Sequence, residues 1–248
     1  MTTDPLAPLL QLADVADTVA RARERVDAVL RHRALRRQGG QVAAEAGLRS
    51  AVASAALEGH AYDLEAVRGG TVTDPVVQGA LRVAGALTGL AELWPKAPRQ
   101  VLAKLHVLGA RGVAGAGDLG RPVTDPAIAH RLDALVTLLA GGTAAPPLVL
   151  AAVVCGELLA LQPFAGPNGV VARAAGRLTL ISTGFDPRGL IAVDVGHRER
   201  EPEYVGSAGA FATGTPDGVR SWLRHYGAAV EIGAEQVAVI GDDVLAGR

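Results

Sequence analysis

Leu161-Gln162-Pro163-Phe164-Ala165-Gly166-Pro167-Asn168-Gly169-Val170-Val171-Ala172-Arg173 is the stretch that decides how this chain folds. It lies between two apolar segments of helical length, Pro147 to Leu161 and Asn168 to Thr183, each bounded by Gly or Pro. Pro163 and Pro167 break a continuing helix and Gly166 between them favours a turn, so the stretch reads as a tight turn that delivers a helix amino terminus. Free backbone N–H groups and the helix dipole at such a terminus suit a phosphate. Arg173 and Arg177 are one helical turn apart, so both are candidates to reach an anion or an acidic side chain. An ordinary helix-turn-helix corner, with Asn168 as its cap, explains the same letters.

Working outward, the spacing predicts helices nearly everywhere. Val15, Val19, Val26, Val29 and Leu30 fall on one face of a leading amphipathic helix over Ala13 to Leu35. A second helix is predicted from Gln41 to Leu57, with Gly59 as its left-handed terminator. Asp63 caps a short helix, and Asp74 before Pro75 opens another that covers Val76 to Leu93. Arg99 to Leu108 and Pro126 to Leu139 complete the series, separated by a loop or short hairpin rich in Gly and Pro. Strand signals are nearly absent. The expected organisation is an all-α chain with an N-terminal helical extension (1–44), a core (45–235) and a C-terminal tail (236–248).

Composition sets the function classes. Apolar residues make up 49% and charged residues 20%, enough for a core and too apolar for a disordered chain. Aromatics are only 3%, so the core must come from Ala, Val and Leu on closely packed helices. A net charge of −1 gives no global field towards nucleic acid or anionic lipid, and neither is expected as a partner. The arginines at 31, 33, 36 and 37 are read as a solvated helix end. The single Cys155 lies in an apolar run and is read as a buried, inert thiol. With no basic leader in MTTDPLAPLL and no apolar run of about 20 residues, a cytoplasmic location and no membrane span are expected.

Other motifs carry less. Gly115-Ala116-Gly117-Asp118-Leu119-Gly120 matches the letters of a dinucleotide fingerprint, but a helical segment precedes it and Arg121-Pro122 follows. That fingerprint needs a strand before it and a helix opening from it, so a nicotinamide or flavin oxidoreductase has little support. The six histidines show no zinc spacing, and no metal site is expected.

The turn resembles the signature HPFx(D/E)GNGRxxR of Fic (Fido) domain proteins, and the similarity runs from about residue 45 to 232. Ser54-Ala55-Ala56-Leu57-Glu58-Gly59 is similar to the (S/T)xxxE(G/N) inhibitory helix that some of those proteins carry. The resemblance implies a Fic-like helical bundle. It also implies that Arg173 meets Glu58 in an ion pair closing the pocket, and that Gly120-Arg121-Pro122 lies near a flap that docks a partner chain. The departures are as informative. Gln162 stands at the position of the family's histidine base and cannot take a proton near neutral pH. Gly166 replaces the acid that holds a metal ion, Val170 replaces the first motif arginine, and Pro167 removes an N–H from the turn. His197 is a candidate replacement base. Ligand-binding candidates are therefore Asn168, Gly169, Arg173 and Arg177. Ser54, Glu58 and Gly59 form the inhibitory-type helix, and Gly120 and Arg121 form the flap. The expected function is a non-catalytic binding or regulatory module, with an altered transferase as the alternative. No cofactor and no magnesium are expected, and a nucleotide or other phosphorylated group is the candidate ligand. The expected partner is another protein, a homodimer included.

Overall fold

A computed structural model describes residues 4–247. After a 3-10 turn at Ala7–Gln11 come twelve helices: α1 Val15–Leu30, α2 Ala34–Arg37, α3 Gly39–Ala56, α4 Leu64–Arg68, α5 Pro75–Leu90, α6 Pro98–Ala110, α7 Pro126–Gly141, α8 Pro147–Leu161, α9 Asn168–Ser182, α10 Val193–Glu199, α11 Glu201–Ala212 and α12 Pro216–Ala246. No strand occurs among the described residues. The region expected to hold a loop or hairpin is a loop with one isolated bridge, Arg111 to Ala114.

Helix starts follow the expected chemistry. Asp63, Asp74 and Asp125 each accept hydrogen bonds from the first free backbone amides of α4, α5 and α7. Thr215 does the same for α12. Gly59 has φ 88° and ends the α3 turn, where the His60 N–H reaches back to the Ala55 carbonyl.

The central element is α9, in which every residue from Gly169 to Ile181 is buried. It packs on α8, α5, α6 and α3. Close approach of α8 is possible because Gly176 has no Cβ; one there would lie 2.6 Å from the Tyr226 hydroxyl and 3.1 Å from Cys155 Cβ. Buried Trp94 and Trp222 give their indole N–H groups to Thr179 Oγ1 (3.0 Å) and the Ala152 carbonyl (2.7 Å). Cys155 is fully buried, and burial pushes its thiol pKa up, as an inert core thiol requires.

Three expectations change. The leading helix stops at Leu30 rather than Leu35, because the chain turns through Arg31–Arg33 and restarts as α2. His32 anchors that turn, accepting from the Ala34 amide (3.3 Å) and facing Asp242 (3.4 Å). The segment read as a tail is the last part of the 31-residue α12, where Val237, Ile240 and Val244 are buried. Likewise α3 runs unbroken through residues 44 and 45. No helix among the described residues is long and apolar enough to cross a membrane.

Candidate functional site: the α8–α9 turn and its latch

α8 stops at Gln162, which takes the left-handed conformation (φ 45°, ψ 58°) and is followed by Pro163. A non-glycine residue there is uncommon and costs on the order of 1 kcal/mol, so the surroundings must hold it. Asn168 does part of that holding. Its Oδ1 accepts from the Phe164 N–H (3.0 Å) while its Nδ2 donates to the Phe164 carbonyl (2.6 Å) and the Gly166 carbonyl (3.3 Å). Asn168 is thus a clamp across the turn, not the cap of α9: it makes no side-chain cap bond, and Pro167 occupies the cap position. Gly166 has φ 95°, so an acidic side chain placed back at this position would be strained.

His106, which sequence reasoning gave no role, fastens the flap loop to this turn. Its Nδ1 accepts from the Gly120 N–H (2.9 Å), which fixes the proton on Nε2, and Nε2 donates to the Ala165 carbonyl (2.8 Å). The imidazole stacks on Phe164 with ring centres 4.5 Å apart. The Val123 N–H also reaches the Pro163 carbonyl (2.8 Å). Gly120 is therefore tied to the motif turn, while Arg121 is exposed beside it.

Arg173 is almost entirely buried and reads both helices around it. Nε donates to Ser54 Oγ (3.0 Å), Nη2 to the Ser54 carbonyl (2.7 Å) and Glu58 Oε1 (2.9 Å), and Nη1 to the Tyr204 hydroxyl (2.8 Å). Asp194 Oδ1 lies 3.5 Å from Nε. The Ser54 carbonyl belongs to the last turn of α3, the negative end of that helix. Burial works against the Arg173 charge, but Tyr204, Glu58 and Asp194 outweigh it and leave its pKa raised. The pairing of Glu58 with Arg173 is present as the resemblance implied. Glu58 also sits on the first turn of α9: a Cβ at Gly169 would overlap Glu58 Oε1 and lie 2.7 Å from Arg173 Nη1. A carboxylate thus rests where a phosphate would meet the helix terminus.

Arg177 goes elsewhere. It does not join Arg173 in the cleft; its Nη1 donates to Asp194 Oδ2 (3.3 Å), so the two arginines hold one buried aspartate between them. His197 is not in the cleft either. Its Nδ1 meets His225 Nε2 at 2.9 Å inside a cluster with Tyr204, Trp222 and Tyr226. The cleft itself, about 480 Å³, is bounded by Glu58, Gln162, Asn168, Gly169, Arg173 and Tyr204, with an apolar wall from α8 and α11. Burial pushes the Tyr204 phenol up to about 12. Ser54 holds Arg173 from behind the latch, Gly59 is exposed, and neither lines the cleft.

Sequence reasoning missed Tyr204, Asp194 and His106. Tyr204, Ser207 and Phe211 are the buried positions of α11 and recur at helical spacing, which was the available signal. Nothing local marks Asp194 or His106, whose partners are distant in sequence.

No family model matches the chain, and no curated protein matches it. Solved structures do. The all-helical core of this chain has the fold of Fic family proteins. A Fic family protein from Desulfovibrio desulfuricans superposes with a TM-score of 0.73 at 23% identity, covering 98% of this chain and 77% of the other. Fic-1 from C. elegans gives 0.74 at 21% identity, covering 94% and 74%.

Two consequences are testable directly. Gly169→Ala should expel the Glu58 carboxylate from its seat without unfolding the protein, because the nearest atom in the way is the end of the partly exposed Glu58 side chain, which can turn to solvent while Arg173 stays held by Ser54 and Tyr204. A structure of the variant with Glu58 still bonded to Arg173 would refute this. The second concerns acid. Burial lowers His225 from 6.5 to about 4, with Arg200 adding to the effect and Glu203 opposing it; burial and the His225 neighbour lower His197 well below its ordinary value. The unfolded chain therefore binds more protons between pH 6.5 and about 4, so this stability is complete above 6.5 and is lost on acidification through that window. His225 alone accounts for at most roughly 3 kcal/mol. Melting temperature should fall steeply from pH 6.5 to 4, and His225→Gln should flatten that fall.

Proposed function

We propose that the chain is a Fic-fold binding module in which the α9 terminus takes a phosphorylated ligand when Glu58 withdraws, and that it does not perform standard AMP transfer. One observation carries the reading: among the residues lining the cleft, only Glu58, Arg173 and Tyr204 can titrate, and none is a free base near neutral pH. Glu58 is committed to Arg173, Tyr204 holds its proton, and Gln162 stands where a base would be needed. The α9 start supplies the anion seat. With Gly166 in place of an acid, no side chain at the turn would hold magnesium against the phosphates. A nucleotide fits the volume and the apolar wall. The exposed loop around Arg121 is where we place the partner protein.

The test is incubation of wild type and Glu58→Gly with ATP carrying label at the α-phosphate, with and without magnesium, alone and with a cell lysate. No covalent label is expected on any protein. Transfer by either form, lost in Arg173→Ala, would establish a transferase instead.

A further inference from the structure

We infer that His106 is a positioning residue that couples the loop between α6 and α7 (111–125) to the start of α9, so that a protein docking on the loop sets the affinity of the anion seat. Among the described residues, the stretch from Gly115 to Thr124 sends two hydrogen bonds outside the loop, and both lead to the turn that feeds α9. The Gly120 N–H donates to His106 Nδ1 (2.9 Å), whose Nε2 donates to the Ala165 carbonyl (2.8 Å), and the Val123 N–H donates to the Pro163 carbonyl (2.8 Å). Val113 and Ala114 lie beside Gly166, 3.5 and 3.9 Å from where a Cβ would stand. Gly115 to Asp118 and Arg121 to Asp125 are exposed, which leaves the outer face of the loop open to a partner.

His106 is fully buried, and both of its ring nitrogens are engaged. Because Nδ1 accepts, the single proton of the neutral ring stays on Nε2 and is given to the turn; each bond polarises the ring in favour of the other. Lifting the loop would leave the Nδ1 lone pair unmatched inside the protein, which is costly. The turn is built to feel that loss. The Pro163 and Ala165 carbonyls flank Phe164, which stacks on the same imidazole, and Gln162 beside them holds a left-handed backbone that needs support from its surroundings. Loop and turn therefore open and close as one unit, and the closed state is the one that presents the α9 amides. A chain that binds the closed loop must tighten the seat, and a ligand in the seat must tighten the loop by the same factor.

Amide hydrogen exchange of the full chain without ligand reads the coupling, with the buried Leu178 amide of α9 as the reference for global opening. Gly120→Ala strains the loop from its own side, since φ there is 75° and a Cβ would lie 3.1 Å from Val107 Cγ2 and 3.3 Å from the Ala103 carbonyl oxygen. It is expected to speed exchange of the Val123 and Phe164 amides by about fivefold or more and to leave Leu178 unchanged. In the His106→Gln background, where an amide nitrogen can still reach Ala165 but nothing stands at Nδ1, Gly120→Ala should speed Val123 and no longer move Phe164. A Phe164 amide that ignores Gly120→Ala, or responds equally in both backgrounds, overturns the inference. If Leu178 also accelerates, wild type decides: protection of Val123 and Phe164 should agree within about fivefold, and a larger gap overturns it. The consequence for a ligand rests on the phosphate seat proposed above. Adding His106→Gln to Glu58→Gly should weaken ATP about fivefold or more by calorimetry, and unchanged affinity refutes that coupling. If Glu58→Gly takes no ATP, the phosphate seat is refuted, and the exchange result still decides whether loop and turn are coupled.

Discussion

Arg173→Met is expected to lower the unfolding free energy by about 3–5 kcal/mol, the range for removing one partner of a buried charge network. Methionine fills much of the volume, so the loss comes from what is left behind. Asp194, 3% exposed, would keep only Arg177 at 3.3 Å; the Ser54 carbonyl and the Tyr204 hydroxyl would lose their donor. Glu58, 21% exposed, can turn to water and adds little to the cost. Urea unfolding at pH 7 measures the change, and Glu58→Gln serves as the contrast, with an expected loss of about 1 kcal/mol. Equal losses in the two variants would mean that Arg173 is a latch partner and not a keystone of the fold.

Gly196→Ala should cost about 2–4 kcal/mol, although alanine is ordinarily the better helix former by about 1 kcal/mol. A Cβ at Gly196 would overlap the Ala229 carbonyl oxygen and lie 2.6 Å from its Cα and 2.7 Å from its carbonyl carbon. These are backbone atoms of α12 and cannot swing aside. α10 would have to lift off α12, carrying Asp194 and His197 with it. Gly206→Ala, on α11 where a Cβ meets nothing within 4 Å, is the control and should stabilise by about 0.5–1 kcal/mol. Thermal unfolding of the pair should therefore move in opposite directions.

Much of the architecture was legible because its signals are local. Apolar runs bounded by Pro and Gly located α8 and α9 to within a residue, and Asp before Pro located the start of α5. The Glu58–Arg173 pairing was legible through motif resemblance alone, since nothing in spacing links residues 115 positions apart. What was missed is non-local. α10 and α11 are short and glycine-rich, so their period is weak until α12 is there to cover Tyr204 and Phe211. Arg173 and Arg177 share a helix and looked equivalent, but the packing of α10 places Asp194 between them and keeps Arg177 out of the cleft. Asn168 reads as a cap from its type; only the position of Phe164 across the turn makes it a clamp.

The claim at the centre is that a phosphate seat persists at the start of α9 beneath the Glu58 carboxylate. Thermal unfolding of Glu58→Gly and wild type with ATP tests it most directly. At 100 times the dissociation constant of the variant, binding stabilises by about 2.7 kcal/mol, which for a chain of this size raises Tm by about 5–10 °C. The account predicts that rise in Glu58→Gly and a much smaller one in wild type; an ATP response equal in both, or absent from the variant, would contradict it.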